Sequence, residues 1–346
     1  MSDFLELFRA RADAGADGVL RMPFDRFMAL ALYDPALGYY RRDRKRVGRG
    51  EGTDFFTAST SGPVFGELIC AAAEKLLREQ DAGADLRDYV FVEIGAEPGG
   101  GVLAGVAHPF ARARTIRVGE SVAGNAALTG KCVVFSNELF DAQPFRRFVF
   151  RDGAWRELGV ALDARAGALI ETGLPAIEGA PMRDAPPLPP APMPGGWHLD
   201  LPLAASALAR EIAAQPWSGL FLACDYGKSW RELLETTPAG TARAYHRHMQ
   251  SNDLLAHPGE QDLTCHICWD WLAEALAENG FSPPRVESQE AFFVRHAGKY
   301  LENAFAEDAA CAAGAGSRKR SLMQLLHPAH MGQKFQALHG FRAARV

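Results

Sequence analysis

Four short apolar runs constrain the fold of this chain more than any other feature of its sequence. They are Tyr89–Gly95, Thr115–Val118, Lys131–Phe135 and Leu220–Asp225. Each is rich in β-branched, aromatic or other apolar side chains, which is typical of a short buried strand. Helical or glycine-rich stretches separate them along the chain. The pattern predicts an α/β fold with a mostly parallel sheet.

Helical periodicity predicts several elements around these strands. Apolar residues at helical spacing indicate helices over 3–13 and 24–33, and the second should end at Asp34-Pro35. Further helices are expected from about Val64 to Glu79 and from near Trp269. The alternating apolar residues of Trp155–Thr172 predict a hairpin or small strand pair.

A proline-rich stretch divides the chain. Nine of the 21 prolines fall within residues 175–202, which predicts an extended surface loop there. We therefore expect an N-terminal helical extension with a basic loop at 1–85 and the first half of a core at 86–150. An insertion should follow at 151–202, and the second half of the core with C-terminal helices at 203–346.

Composition and charge exclude several classes of protein. With 346 residues, 48% of them hydrophobic and 23% charged, the chain is neither disordered nor fibrous. A net charge of −5 gives no global attraction to nucleic acid or to anionic membranes. We find no run of roughly 18–20 apolar residues and no export signal at Met1–Leu5. Six scattered cysteines suit reduced thiols, so we expect a soluble protein of the bacterial cytoplasm.

The segment Arg41–Gly52 is strongly basic and contains three glycines. The simplest interpretation is a solvated loop. The alternative is a lid that attracts an acidic substrate or partner.

The first candidate ligand site follows the first predicted strand. Glu93 lies near the end of this strand, and Gly95, Gly99, Gly100 and Gly101 follow it. Such a turn lets backbone amides approach a ligand, although it is equally compatible with a plain tight turn. The segment lacks a phosphate-loop lysine, which argues against nucleotide hydrolysis. The acids Glu93 and Glu97 favour a cationic or hydroxyl-rich ligand, and S-adenosylmethionine fits this description better than a dinucleotide.

The second candidate is Ser136–Pro144, which follows the strand Lys131–Phe135. Ligands bind at the carboxyl ends of parallel strands, where Asn137, Glu138 and Asp141 would project. Asn137 and Asp141 are equally suited to cap helices. Glu138 has no such structural role, because a carboxylate beside a buried strand end needs a partner.

The third candidate combines Asp225 with Gly259–His266. In such an arrangement the carboxylates of Asp225 and Asp262 could face the same crevice. The nearby Cys265 and Cys268 suggest a zinc or redox site, but no second ligand pair with zinc spacing is present. We therefore expect no metal site. A serine hydrolase is disfavoured because the sequence has no Gly-x-Ser-x-Gly segment.

Together, these segments resemble the MidA-like family of S-adenosylmethionine-dependent methyltransferases. The mitochondrial members of this family assist respiratory complex I assembly by dimethylating an arginine. The resemblance extends over most of the chain and rests on six segments. These are Phe24–Tyr40, Thr53–Leu68, Asn137–Phe145, Asp225–Gly227, Gly259–His266 and Leu325–Phe335.

The resemblance implies a Rossmann-like methyltransferase core whose cofactor site is roofed by the N-terminal extension and the insertion. S-adenosylmethionine would be bound by Glu93, Gly95, Gly99, Gly100, Gly101, Glu120 and Asn137. Glu138 would hold the guanidinium of a substrate arginine, and Asn137, Asp141, Asp225 and His266 would complete the catalytic pocket. A substrate channel would be lined by Tyr40, Asp54, Phe56, Thr57, Asp262 and Thr264.

Two departures from the family pattern change these expectations. The usual Gly-x-Gly-x-Gly turn contains the insertion Ala96-Glu97-Pro98. Only 41 residues separate Gly95 from Asn137, too few for the usual helix, strand, helix and strand. The sheet is therefore expected to be one strand short. Counting back from Asn137, Thr115–Val118 corresponds to the third strand of the family's fold, so that the second strand would be missing. Glu120 can bind the cofactor's ribose only if Thr115–Val118 is instead the second strand.

Three functional hypotheses follow. The first is methylation of an arginine in a protein substrate. The alternative is a degenerate, cofactor-free family member that binds a partner protein. A zinc or thiol-redox protein using Cys265 and Cys268 is the third. We expect a protein substrate or partner in the first two cases, with a homodimer as one arrangement.

Overall fold

The computed structural model of the chain describes residues 2–42, 46, 58, 62–96, 100–174, 193–310 and 316–344. Its helices are α1 Ser2–Arg11, α2 Phe24–Tyr33, α3 Pro63–Gln80, α4 Leu203–Ala214, α5 Trp230–Thr236, α6 Trp269–Glu278, α7 Gln289–His296, α8 Gly298–Ala310 and α9 Gly316–Leu326. Its strands are β1 Asp13–Ala14, β2 Leu20–Pro23, β3 Val90–Ala96, β4 Arg112–Arg117, β5 Gly130–Asn137, β6 Arg146–Arg151, β7 Ala154–Asp163, β8 Ala168–Gly173, β9 His198–Leu201, β10 Trp217–Asp225, β11 Gly227–Lys228, β12 Arg243–His246, β13 Met249–Ser251, β14 Asp262–Thr264, β15 Ile267–Cys268, β16 Arg285–Ser288 and β17 Gln336–Arg342.

The chain divides into two compact units, each built from separate segments of sequence. The core unit comprises residues 47–139, 208–227 and 269–346. The accessory unit comprises residues 1–46, 140–207 and 228–268. The functional division expected from the sequence, with boundaries at 85, 150 and 202, stays a prediction.

The core unit contains a six-stranded sheet in the order β16-β17-β10-β5-β3-β4. Strands β4, β3, β5 and β10 are parallel, whereas β17 is antiparallel to both β10 and β16. This confirms the predicted α/β fold with a mostly parallel sheet. The register pairs Asn137 with Cys224 and Asp225 with Gln336, so the carboxyl ends of β5 and β10 lie side by side.

The edge strand β4 settles one alternative and corrects one expectation. It pairs directly with β3, which is the place of the second strand in a doubly wound sheet, and not that of the third. Glu120 therefore follows the second strand. We expected a buried apolar strand at Thr115–Val118, but β4 runs from Arg112 to Arg117 and only Ile116 is buried. Its exposed side chains include three arginines, which protect an open sheet edge against pairing with another chain.

The first half of this sheet is built without the usual crossover helices. Residues 100–111, after β3, and residues 118–129, after β4, form turns and bends with no helix. A parallel connection ordinarily contains a helix that covers one face of the sheet. The shortened core predicted from the spacing of Gly95 and Asn137 is thus present in the described residues.

One face of the core sheet is covered by helices. Aromatic rings from α3 and the central strands pack together: Phe65 and Phe91 both lie against Phe135, with ring centroids 6.2 and 5.8 Å away. Phe292 and Phe293 of α7 are also fully buried in this core. Each such side chain contributes roughly 1.5–3 kcal/mol through burial. The predicted helices at 24–33, 64–79 and from Trp269 are confirmed with shifts of a residue or less.

The accessory unit is organised around an antiparallel sheet. Its order is β1-β2-β7-β6-β9, with β8 also paired to β7. The hairpin predicted over Trp155–Thr172 is confirmed as β7 and β8. The expected surface loop over residues 175–202 was wrong for residues 198–201. These residues form β9, which pairs with β6 and buries Leu199, Asp200 and Leu201. Residues 175–192 of that stretch lie outside the described residues.

Two further features bear on the sequence predictions. In the described part of the chain, every helix is too short or too polar to span a bilayer. Most of the basic segment 41–52 lies outside the described residues, so its role as a loop or lid stays a prediction.

Candidate cofactor and catalytic site

The glycine turn after β3 is organised by the carboxylate of Glu93. This side chain is buried, and one of its oxygens accepts a hydrogen bond from the backbone N–H of Val102 at 2.6 Å. Burial raises the pKa of Glu93 to about 7, although the hydrogen bond from Val102 acts in the opposite direction. A Cβ atom on Gly101 would lie 2.3 Å from Glu93 Oε2. Only glycine therefore fits where the turn passes over this carboxylate.

Gly95 links the glycine turn to the loop after β5. It has a φ of +84°, which side chains rarely adopt, and a Cβ atom there would lie 2.8 Å from Leu139 Cδ1. The side chain of Leu139 thus packs directly on Gly95. Gly100 also has a left-handed backbone, with a φ of +117°. Gly99, which was predicted to bind cofactor, lies outside the described residues.

Asn137 and Glu138 mark the carboxyl end of β5. Glu138 has a φ of +49°, a strained conformation for a residue with a long side chain. Its N–H donates to the carbonyl of Cys224 at 2.9 Å, and its Oε1 accepts from Asn137 Nδ2 at 3.0 Å. Backbone strain of this kind persists where the surroundings fix it, and it is concentrated at functional sites.

The amide oxygen of Asn137 is an acceptor that the protein leaves open. Asn137 Oδ1 is buried and has no hydrogen-bond partner among the residues that the structure describes. A buried polar atom of this kind is ordinarily satisfied by a ligand or by water. Its place beside the glycine turn is compatible with a ligand that brings a hydrogen-bond donor.

Asp225, at the carboxyl end of β10, is fully buried. Its carboxylate accepts from the backbone N–H of Tyr226 at 2.8 Å. Burial and the carboxylates of Asp225 and Glu138 raise the pKa of the Cys224 thiol. The core unit therefore brings together the predicted Asn137, Glu138 and Asp225 at neighbouring strand ends.

Glu120 lies just beyond β4, on the surface of the core unit. Its side chain is exposed, and Oε2 accepts from the N–H of Arg117 at 3.0 Å. One carboxylate oxygen of Glu120 thereby fixes the end of its own strand. The other has no hydrogen bond recorded among the described residues, so Glu120 is suited to bind hydroxyl groups at the carboxyl edge of the sheet.

Other predicted site residues belong to the accessory unit, which holds a cluster of tyrosines and acids. Tyr40 donates from its hydroxyl to Asp262 Oδ1 at 2.9 Å, and its ring stacks on Tyr33 with centroids 5.6 Å apart. Burial and the carboxylate of Asp262 raise the pKa of Tyr40, so it remains a donor. Asp141 and Thr264 are buried in this unit as well. Asp54, Phe56 and Thr57 lie outside the described residues.

His266 follows this cluster in the same unit. Its backbone N–H donates to Thr241 Oγ1 at 3.2 Å. Burial lowers the pKa of the His266 imidazole to about 4, and the cations Lys228 and Arg243 act in the same direction. The ring is therefore neutral at physiological pH.

Sequence reasoning missed two sets of residues. Gln336 accepts at Oε1 from the N–H of Gly227 at 3.1 Å and from Trp269 Nε1 at 3.2 Å, and no short motif marks it. Glu287, His296 and His339 form the one cluster in the described residues whose side chains lie close enough together to hold a metal ion. Their separations of nine and 43 residues match no familiar ligand spacing. The sequence interpretation considered a metal site only at Cys265 and Cys268, because these two possible ligands are close together in the chain.

Comparisons with known proteins agree with this architecture. Residues 117–286 match a family described as "Putative S-adenosyl-L-methionine-dependent methyltransferase". A crystal structure from Burkholderia thailandensis, described as a "likely methyl transferase" bound to S-adenosyl-homocysteine, is similar over all of this chain and 93% of its own, with 23% identity and a TM-score of 0.84. A native structure of an uncharacterized protein from the same organism gives the same coverage and identity with a TM-score of 0.79. No curated protein matches the chain.

These findings confirm the family resemblance and the fold that it implied. S-adenosyl-L-methionine, the cofactor expected from the resemblance, is the cofactor by which the matched family is described. Residues 117–286, which include β5 and β10, thus match a family described as S-adenosyl-L-methionine-dependent methyltransferases, and the whole chain shares the fold of the Burkholderia protein.

Proposed function

We propose that this protein transfers a methyl group from S-adenosylmethionine to an arginine of a protein substrate. The observation that carries the proposal is Glu138, a carboxylate at the end of β5 whose strained backbone and hydrogen bond from Asn137 fix its position. A carboxylate pairs with the fork of a guanidinium through two parallel hydrogen bonds. Such pairing orients one nitrogen for attack and keeps the substrate from rotating.

The residues of the core unit fit the cofactor. The open acceptor Asn137 Oδ1 suits the ammonium of its methionine part, and the exposed carboxylate of Glu120 suits the hydroxyls of its ribose. When bound, the cofactor supplies an activated methyl group. The related Burkholderia protein was crystallised with S-adenosyl-homocysteine, which supports the same ligand class for this chain.

The protein's own contribution to the reaction is binding, orientation and charge. Glu138 balances the positive charge of the substrate guanidinium, which must lose a proton when its nitrogen is methylated. Asn137 holds the Glu138 carboxylate in place through its amide N–H. Asp225 adds a second carboxylate at the neighbouring strand end, which favours a cationic substrate over an anionic one.

Glu138→Gln tests this proposal under single-turnover conditions. The substitution keeps the shape of the side chain but removes its charge, so we expect methyl transfer to slow by about 100-fold or more, the scale of losing one electrostatic catalytic group. The substrate is a protein extract incubated with cofactor carrying a labelled methyl group. Acid hydrolysis then shows which amino acid is labelled. Affinity for S-adenosylhomocysteine should stay at the wild-type level.

Two results would contradict the proposal. If the Glu138→Gln variant transfers methyl groups at the wild-type rate, Glu138 takes no part in the reaction. Label on lysine or on another residue would exclude arginine as the acceptor.

A binding module without cofactor is the alternative that the shortened first half of the sheet favours. At about 100 times its dissociation constant, S-adenosylhomocysteine should stabilise the protein by roughly 2.7 kcal/mol. No rise in Tm would support the alternative.

A further inference from the structure

Three side chains of the types that ligate metals converge in the second half of the core sheet, in a place that the proposed reaction does not use. Glu287 Oε1 lies 3.0 Å from His296 Nε2 and 3.2 Å from His339 Nε2. The three ligand atoms lie within 4.8 Å of one another. All three side chains are more than nine-tenths buried. Their ligand atoms therefore surround one small, protected volume.

The fold brings these residues together from three elements. Glu287 in β16 pairs with Ala337 in β17, and His339 lies two residues further along β17 on the same face of the sheet. His296 belongs to the last turn of α7, and the ring of Phe292 packs against both imidazoles at 5.1 and 5.6 Å. The ring of Phe292 thus covers one side of the two imidazoles, and their Nε2 atoms face the carboxylate of Glu287.

Two of the ligand distances are close to those in the coordination shell of a small divalent cation. Zn²⁺ binds imidazole nitrogen at roughly 2.0–2.1 Å and carboxylate oxygen at nearly the same distance, in tetrahedral geometry. The ligand atoms of such a site are about 3.3 Å apart. The two observed Glu287–imidazole distances, 3.0 and 3.2 Å, are close to this edge length.

The two oxygens of Glu287 have separate surroundings. Oε1 faces the two imidazoles, while Oε2 lies 2.7 Å from Arg295 Nη1. Arg295 is 58% exposed and extends from the same helix end into solvent. Arg285, exposed on β16, is the other cation near His339. These two arginines oppose an incoming cation, but both reach water, where their charge is screened.

We propose that Glu287, His296 and His339 bind a divalent cation of the zinc class, with two imidazole nitrogens, one carboxylate oxygen and a fourth position open to water. A set of two histidines and one carboxylate is an established zinc donor set. The ion would join β16, β17 and α7, and so would stabilise the second half of the core sheet. This inference does not depend on the proposed methyl transfer.

Isothermal titration of the full-length, chelator-treated protein with ZnCl₂ tests the inference. We expect one ion per chain and a rise in Tm on binding, because a ligand of the folded state alone stabilises it. Titration with CoCl₂ should give the visible absorption of four-coordinate cobalt without the near-ultraviolet band of a thiolate ligand. Glu287→Gln and His339→Gln should each weaken zinc binding by at least tenfold.

Matched variants separate this site from the rest of the molecule. The double variant Cys265→Ser, Cys268→Ser should bind zinc as the wild type does, and Arg295→Ala should bind it more tightly because a competing cation is removed. Circular dichroism checks that each variant is folded. The inference is overturned if wild-type protein binds no zinc, if the cysteine variant loses binding, or if Arg295→Ala binds more weakly. The last two results do not depend on the folding of the histidine variants.

Discussion

Two buried glutamates of the same sheet lie in opposite surroundings. Glu93, in the first half of the sheet, accepts one hydrogen bond from the described residues, from the backbone N–H of Val102, and burial raises its pKa to about 7. Glu287, in the second half, is also penalised by burial, but His296, His339 and Arg295 outweigh this and lower its pKa. The first carboxylate thus holds a backbone turn, whereas the second is surrounded by groups that carry or accept positive charge.

The same contrast extends to the two halves of the sheet. The first half, β3, β4 and β5, is connected without helices in the described residues and ends in an exposed, arginine-rich strand. The second half, β10, β17 and β16, is covered by α7 on one face. Both halves therefore bury side chains in one core, but the turn after β3 in the first half depends on glycines, whereas the second half is closed by α7.

Gly101→Ala should cause the largest loss of stability, about 3–5 kcal/mol. The new methyl group would overlap Glu93 Oε2 at 2.3 Å, which forces the carboxylate away and leaves the N–H of Val102 unsatisfied. The matched variant in the second half is Gly340→Ala, where the nearest atom is 3.6 Å away and the change should be within about 0.5 kcal/mol. Urea unfolding followed by circular dichroism measures both. Equal effects would remove the distinction between the halves.

Glu93→Gln should change how stability depends on pH. The folded protein keeps a proton on Glu93 up to a pKa of about 7, whereas the unfolded chain releases it near 4.5. Wild-type stability therefore falls as pH rises from 4.5 to 7, by about 3 kcal/mol in total. The glutamine variant lacks this loss, so its stability relative to wild type should rise through the same window. Unfolding at a series of pH values, with exposed Glu302→Gln as control, checks this. A constant difference between variant and wild type would contradict the raised pKa of Glu93.

Glu120→Gln should weaken binding of S-adenosylhomocysteine by roughly 30–150-fold, corresponding to about 2–3 kcal/mol for a pair of charge-assisted hydrogen bonds. The side chain is exposed, so stability should change little. Isothermal titration measures the affinity, again with Glu302→Gln as control. Unchanged affinity would mean that Glu120 does not bind the cofactor, although its strand β4 lies beside β3.

Arg114→Val should have the smallest effect on stability, within about 0.5 kcal/mol, because Arg114 is exposed on the edge strand β4. It should, however, promote self-association, since an uncharged β-branched residue makes an open edge suitable for pairing. Static light scattering at increasing concentration measures this. Arg285→Val, on the shorter edge strand β16, is the matched control and should associate less.

Much of the fold follows from local sequence patterns, and the exceptions have clear causes. The strand ending at Gly95 and the helix from Trp269 were predictable because their apolar residues repeat with the right period. The strand β9 was not, since a proline-rich stretch precedes it and its pairing with β6 is non-local. The position of β4 was also undecided, because the number of residues between Gly95 and Asn137 does not specify which strand is missing.

The candidate site shows the same division. Glu93, Asn137 and Glu138 were identified from acids and amides that follow apolar runs, and the core unit places all three at strand ends. The sequence did not show which of the other predicted site residues belong to the core unit and which to the accessory unit. Tyr40, Asp262 and His266 belong to the accessory unit, which the chain leaves and re-enters twice.

The α/β class, the family resemblance and the acids at the strand ends can be predicted from the amino-acid sequence alone, because they depend on local periodicity and on short segments of fixed residue type. Three other features require the folded chain: β4 lies beside β3, Leu139 packs on Gly95, and Glu287 meets His296 and His339. Strand order and side-chain convergence depend on contacts between residues far apart in the chain. Such contacts leave no periodic signal in the sequence.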